Sequence, residues 1–152
     1  MLHDIVLKLA TINDLNAMKQ VGNTLFDYDI KTNRATEFIN DPRHHLILAY
    51  HKDKIIGMAS GLDYVHPDKE PQLFVNEVAV IDQYQNQGVG RRLVQYLCEY
   101  SKKLGCTEAW VATEHSNTAA RKAYIAAGAV EDEESIVLLN FDFKDSKNNN
   151  TL

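Results

Sequence analysis

The chain has 152 residues, of which 45% are hydrophobic and 24% charged, a profile typical of one folded domain with a substantial core. Its net charge of −5 at pH 7 argues against nucleic acid as a partner, since binding a duplex requires a surplus of Lys and Arg on one face. No apolar run reaches the roughly 20 residues that span a bilayer, and the two cysteines lack CxxC spacing, so we expect a reduced, cytoplasmic protein without membrane association or a metal site.

Hydrophobic periodicity predicts a mixed α/β chain. A first strand at residues 4–9 is followed by helices at 13–26 and 32–40, the second stopped by Asp41-Pro42. Strands at 45–51 and 54–65 are joined by a short polar turn, which predicts a hairpin and disfavours an all-parallel, flavodoxin-like nucleotide switch.

The rest of the chain alternates strands with helices. After the loop "VHPDKEP" we predict a strand at 72–81, a helix from the following glycines to Gly105, a strand at 108–113, a helix at 117–128 and a last strand at 135–143. Residues 1–143 therefore form a single predicted domain with helices covering a sheet, and residues 144–152 form a polar tail that we expect to be flexible.

The stretch "QNQGVGRR", residues 85–92, lies at a strand-to-helix turn and is typical of an anion site. A P-loop would need Lys-Ser or Lys-Thr after the last glycine, and a dinucleotide fold would need a third glycine where Leu93 stands. What remains is QxxGxG, formed by Gln85, Gly88 and Gly90, whose backbone amides would face a diphosphate. The alternative is that both glycines serve only the turn.

The stretch "EVAVIDQYQNQGVGRRLVQYL", together with Asn117 and "AYIAAGA" about 30 residues on, resembles the GNAT superfamily of acetyl-CoA-dependent N-acetyltransferases. The resemblance covers residues 44–143. It implies the GNAT fold, a mixed, mostly antiparallel sheet with helices on both faces and a splay between the fourth and fifth strands. It also implies acetyl-CoA as cosubstrate and allows a homodimer. The cofactor contacts that it implies involve Val78, Ala79, Val80, Gln85, Asn86, Gln87, Gly88, Val89, Gly90, Arg91, Asn117 and Tyr124. For Arg92, a phosphate contact and an ordinary helix-surface position stay open.

Acetyl transfer from a thioester to an amine needs a base, an oxyanion donor and an acid for the leaving thiolate. By resemblance, Tyr124 in "RKAY" is the acid; packing in the core is the alternative. Glu77 stands in an apolar strand, in alternation with Val75 and Ala79, where burial would raise its pKa and suit it as the base. A bulge in this strand would change the face that Glu77 occupies, and a hydrogen-bonding or acceptor-binding role stays open. The oxyanion donor would be the Val78 N–H.

Several elements look like the aminoglycoside 3-N-acetyltransferase branch, namely "VNEVAV", "YVHPDKEPQ" and "LLNFDF", although the acid there is often Asp. The predicted acceptor is therefore a cationic small-molecule amine, with candidate contacts from Asp27, Tyr28, His66, Asn76, Glu77 and Glu114. Other readings are a polyamine, a small metabolic amine or a protein N-terminus as acceptor, and a non-catalytic acyl-CoA-binding domain.

Overall fold

The computed structural model describes residues 2–144. Its centre is a five-stranded sheet in which the strands lie in chain order. The strands are β1 (Ile5–Leu9), β2 (His44–His51), β3 (Lys54–Tyr64), β4 (Gln72–Val80) and β5 (Glu108–Val111). Neighbours from β1 to β4 pair antiparallel, and β5 pairs parallel to β4. The predicted mixed, mostly antiparallel sheet is confirmed.

Helices cover both faces of this sheet. They are α1 (Leu15–Val21), α2 (Thr32–Asn40), α3 (Val89–Lys103) and α4 (Thr118–Ala126). One core cluster places Leu93 and Leu97 of α3 over Ile47 and Leu73. The other places Met18 of α1 and Ala35 of α2 over Leu48 and Met58. Leu93 and Leu97 are both fully buried, which contributes roughly 1.5–3 kcal/mol of transfer free energy for each side chain.

A buried carboxylate joins the first strand, the first helix and the second strand. Asp14 is 4% exposed. It accepts hydrogen bonds of 2.8 Å from the Lys8 Nζ, the Thr11 backbone N–H and the Tyr50 hydroxyl. Burial opposes ionisation of Asp14, but these donors outweigh it and lower the pKa of the carboxyl.

Two predicted helices differ from the structure. The helix predicted at 13–26 breaks at Gly22, which has φ 42°, and continues as the 3-10 turn Gly22–Thr24. For α3, helical spacing in the sequence predicts an apolar stripe that includes Tyr96 and Leu104, yet these are 38% and 45% exposed. Val94 and Ser101 are buried instead, because the face that meets the sheet is rotated toward them.

The predicted last strand is the largest departure. Residues 135–143 are described, but they pair with no strand among the described residues. Their large apolar side chains lie in solvent. Propensity alone predicts a strand here, but a strand forms only with a partner edge. The predicted tail lies, apart from Lys144, outside the described residues.

Candidate active site

A bulge in β4 determines where Glu77 points. Val75 pairs with Gly61 and Glu77 pairs with Ser60, so Asn76 is the extra, exposed residue between them. Val75 packs under α3, whereas Ala79, two residues after Glu77, packs on the α1–α2 face. The bulge that the sequence analysis left open is present, and it reverses the alternation, so Glu77 shares a face with Ala79 and not with Val75.

Glu77 meets a second carboxyl on that face. Burial, the negative charge of Asp27 and a hydrogen bond with the Asp27 side chain all raise the pKa of Glu77. The negative charge of Asp27 beside it disfavours the ionised form of Glu77, which adds to the effect of burial. Asp27 is exposed and follows the turn after α1, and Tyr28 beside it is 80% exposed. The pair thus lies where a cation can reach it from solvent.

Ser60 is a candidate that the sequence analysis missed. It lies across from Glu77 in the β3–β4 register and is 6% exposed. Ser60 alternates with Met58, which packs on the α1–α2 face, so its side chain shares the face of Glu77. Its hydroxyl is buried without a hydrogen-bond partner among the described residues. The signal in the sequence was a hydroxyl within the apolar run "IIGMASGL".

Next to Glu77 the sheet opens. β4 pairs with β5 only from Gln72 to Val75, and β4 continues for the five residues 76–80 past the last pair. Alternate main-chain groups of Asn76–Val80 therefore face the gap, because antiparallel pairing with β3 uses only the other half of them. This gap is the predicted splay. It leaves alternate main-chain groups of the stretch Val78–Val80 open to an extended ligand.

The glycine turn stands at the end of the splay. Gly88 caps α3 with φ 79°, and Asn86 also has a positive φ of 57°. The Gln85 side chain donates to the Val80 carbonyl at 2.9 Å, and the Gln87 side chain donates to the Gln83 carbonyl at 2.9 Å. These amide side chains brace the turn, while Val89 is 1% exposed and anchors it in the core.

The first amides of α3, from Val89 to Arg91, have no acceptor one turn earlier in the helix, so they are available to an anion. Arg91 is exposed beside them. Arg92 has another role, since its Nη2 donates to the Ile5 carbonyl at 3.0 Å and joins α3 to β1.

Asn117 and Tyr124 both belong to α4. The Asn117 side chain caps the helix by accepting from the Ala120 N–H at 3.1 Å. Tyr124 is partly buried, and burial raises the pKa of its hydroxyl. The phenol is therefore protonated at neutral pH and can act as a proton donor.

One predicted acceptor contact, His66, lies at the other end of β4 from Glu77. His66 packs edge-on against Tyr64, with ring centroids 5.0 Å apart, and Tyr64 pairs with Gln72 at the opposite end of β4. Gln72 precedes Glu77 by five residues, roughly 15 Å along a strand. Glu114 is exposed in the loop before α4, where its carbonyl accepts from the Asn117 N–H at 2.9 Å.

Within residues 2–144, no three His, Cys, Asp or Glu side chains are placed to hold a metal ion. No helix in this part of the chain is both long and apolar enough to cross a bilayer.

Comparisons with known proteins all find acetyltransferases. The model of the acetyltransferase (GNAT) family matches residues 11–129. An aminoglycoside acetyltransferase, meta-AAC0020, from an uncultured soil metagenomic sample, solved with sisomicin, superposes with a TM-score of 0.79 at 15% identity. That match covers 91% of this chain and 97% of the other. Aminoglycoside N-acetyltransferase AAC(6')-Iy, solved with CoA, gives a TM-score of 0.75 at 20% identity, covering 90% of this chain and 94% of the other.

A curated relative is similar over a shorter stretch. The L-2,4-diaminobutyric acid acetyltransferase of Oceanobacillus iheyensis is 34% identical over 68 residues. This match covers 43% of the chain and spans only 37% of the relative's length.

The chain therefore belongs to the acetyltransferase (GNAT) family, and it is an acetyltransferase domain of GNAT fold. Acetyl-CoA is the acetyl donor that this family uses.

Proposed function

We propose that the protein transfers the acetyl group of acetyl-CoA to a primary amine of a small polycationic molecule, with an aminoglycoside as the leading candidate. The observation that carries this proposal is the Glu77–Asp27 carboxyl pair beside the splay. A pair that is partly buried and open to solvent attracts a cation and offers a base to it.

The donor is held by main-chain groups. In this proposal the amides from Val89 to Arg91 bind the pyrophosphate of CoA, and the outward amides of β4 bind its pantetheine arm; the Gln85 N–H, also expected to contact the pyrophosphate, donates to the Asp82 carbonyl instead. Asn117 acts here by holding the start of α4 in place. When bound, acetyl-CoA supplies the activated acyl group.

Three groups of the chain move or hold charge during transfer. Glu77 takes a proton from the acceptor ammonium, which frees the nitrogen lone pair to attack the thioester carbonyl. The Val78 N–H donates to the oxyanion that forms, and Tyr124 gives its proton to the leaving thiolate as the carbon–sulfur bond breaks. Ser60, across from Glu77, orients the Glu77 carboxyl or the amine.

A small diamine is the second candidate acceptor. It is supported by the 34% identity with the diaminobutyrate enzyme. Aminoglycosides are supported by fold likeness to enzymes that acetylate them. Both classes carry at least two ammonium groups, which suits the carboxyl pair. The 3-N position of an aminoglycoside is the site of transfer that we propose.

The test is a thiol-release assay with acetyl-CoA across aminoglycosides, diaminobutyrate, polyamines and peptides with free N-termini, with the product position determined by NMR. We expect turnover with polycationic amines and little with peptides. Peptide acetylation alone would overturn the acceptor class. CoA binding without turnover of any amine would indicate a non-catalytic acyl-CoA-binding domain instead.

A further inference from the structure

Two aromatic rings lie on the face of the sheet that carries Glu77. Phe74 of β4 is the neighbour of Trp110 in β5, and their ring centroids are 4.5 Å apart. Phe74 alternates with Leu73 and Val75, which pack under α3, so both rings occupy the α1–α2 face. Trp110 is 47% exposed and Phe74 is partly buried. These two side chains, the ring pair, form an aromatic surface that solvent can reach.

The described helices leave this part of the face uncovered. The apolar cluster beneath α1 and α2 takes Ala79 and Ile81 from the end of β4 and the turn after it. Among the residues that the structure describes, that cluster takes none from Gln72–Val75 or from β5. The helix after β5, α4, contacts α3, which covers the opposite face. A molecule that reaches Glu77 from solvent can therefore extend along β4 over the ring pair.

A chain of hydrogen bonds fixes the orientation of the Trp110 ring. Its Nε1 donates to the Tyr64 hydroxyl at 2.6 Å, and that hydroxyl donates to the Gln72 Oε1 at 2.8 Å. The Gln72 side-chain amide in turn donates to the Glu108 Oε2 at 2.5 Å. A side chain that is already held in place loses little conformational entropy when a ligand stacks on it. The exposed carboxylate of Glu108 also places negative charge beside the rings, which favours a cationic ligand.

The distance to Glu77 decides which acceptors can use the ring pair. Phe74 precedes Glu77 by three residues, roughly 10 Å along a strand. This span is longer than one sugar ring, so an acceptor with its reacting amine at Glu77 reaches the ring pair through a second ring. A linear polyamine can also span it, but it must order many rotatable bonds, whereas linked saturated rings are preorganised. The C–H groups next to an ammonium carry partial positive charge, which the negative face of an indole attracts.

From these observations we infer that the ring pair determines acceptor specificity by stacking against a second ring of a polycationic acceptor. Trp110 and Phe74 bind the face of that ring, and Glu108 attracts its ammonium groups. The ring pair thereby selects linked amino-sugar rings over linear amines. The inference rests on the proposed function, because it identifies the acceptor class of the same site.

Tryptophan fluorescence tests the inference without any turnover. Trp110 is the only tryptophan of the chain, so its emission reports on the ring pair alone. With CoA bound, titration with sisomicin should shift this emission, because a stacked ring displaces water from the indole. Spermine, which is polycationic but has no ring, should cause little change at the same concentration. A response to spermine as large as that to sisomicin, or no response to sisomicin, would overturn the inference.

This measurement separates the inference from the proposed function. An emission shift specific to sisomicin supports the ring pair even in a protein that acetylates no amine. Acetylation of sisomicin without any shift would leave the proposed function standing and overturn the inference.

Variants of Trp110 test the same surface by calorimetry on the CoA complex. Trp110→Leu removes the aromatic face and should raise the Kd of sisomicin about 10-fold or more. Trp110→Phe returns an aromatic face and should restore most of the affinity. Tyr96→Leu, a matched control on the exposed side of α3, should leave the Kd of sisomicin unchanged.

The affinity for CoA shows whether these variants keep the fold of the site. It should stay unchanged in all three variants, because the ring pair lies before the splay on β4. An unchanged Kd of sisomicin in Trp110→Leu, or a Trp110→Phe protein that binds sisomicin as weakly as Trp110→Leu, would overturn the inference.

Discussion

Glu77 is the proposed base, and Asp27 is the neighbouring carboxyl that raises its pKa. Because burial and Asp27 raise the pKa of Glu77, kcat/KM should rise with pH through that raised value, above the ordinary glutamate range. Glu77→Gln should lower kcat/KM by about 10²–10⁴-fold, the usual contribution of a general base. In Asp27→Asn the neighbouring negative charge is lost, so the acidic limb of the profile should move to lower pH.

Asp29→Asn is the control for this shift, since Asp29 is an exposed carboxylate two residues along the chain that is not among the groups raising the pKa of Glu77. The measurement is kcat/KM from pH 4 to 9 for all four proteins. An acidic limb that stays in place in Asp27→Asn would contradict the coupling of the two carboxyls.

Tyr124 can be tested by removing one oxygen atom. Its raised pKa keeps the phenol protonated at neutral pH, ready to donate to the leaving thiolate. Tyr124→Phe should therefore lower kcat by about 10²-fold or more while the Kd for CoA changes little. Tyr96→Phe, on the exposed side of α3, should leave both constants unchanged. Equal losses in kcat and CoA affinity would point to a binding role.

At the scale of elements, the turn between β4 and α3 depends on the backbone of one glycine. Gly88 has φ 79°, a backbone conformation that is strained for a residue with a side chain. A Cβ there would lie 3.8 Å from the nearest atom, Arg91 Nη2, so it would not clash. Gly88→Ala should lower the free energy of unfolding by about 1–2 kcal/mol and weaken CoA binding, because the turn relaxes away from the anion.

Gly105→Ala separates these two effects. Gly105 has φ 96° with open space around it, and it lies at the other end of α3. Gly105→Ala should lower the free energy of unfolding in chemical denaturation about as much as Gly88→Ala does, while its CoA affinity, measured by calorimetry, stays unchanged. Equal CoA affinity in both variants would remove the turn from the cofactor site.

At the scale of the whole molecule, Asp14 links acid stability to the contact between β1, α1 and β2. Its pKa is lowered, so its contribution is complete above the ordinary aspartate pKa and is lost as pH falls through the folded value. Asp14→Asn should lower the free energy of unfolding at pH 7 by about 1.5–3 kcal/mol. The difference from wild type should shrink below about pH 4. Urea unfolding at several pH values measures it, and exposed Asp53→Asn should show no change at any pH.

The order of elements through residue 126 was predictable because it depends on local signals. Apolar periodicity, the hairpin turn and the glycines after β4 each act over a few residues, and the structure has the corresponding strands and helices. The pattern of residues 85–92 with Asn117 was also enough to predict the family, which the family model confirms.

Other features depend on contacts between distant residues, which no local pattern contains. The bulge at Asn76 arises from the pairing of β3 with β4, and it moves Glu77 to the face that Asp27 and Ser60 share. Arg92 donates a hydrogen bond to the carbonyl of Ile5, 87 residues away in the chain.

The sequence by itself determined the elements that surround the anion turn, because glycine conformation and hydrophobic period are local properties, and its resemblance to the GNAT superfamily implied the family and the acetyl donor. Only the tertiary structure decided which carboxyls meet and which edge of the sheet stays open. Strand pairing and its bulges join residues far apart in the chain, so their outcome is a property of the folded molecule.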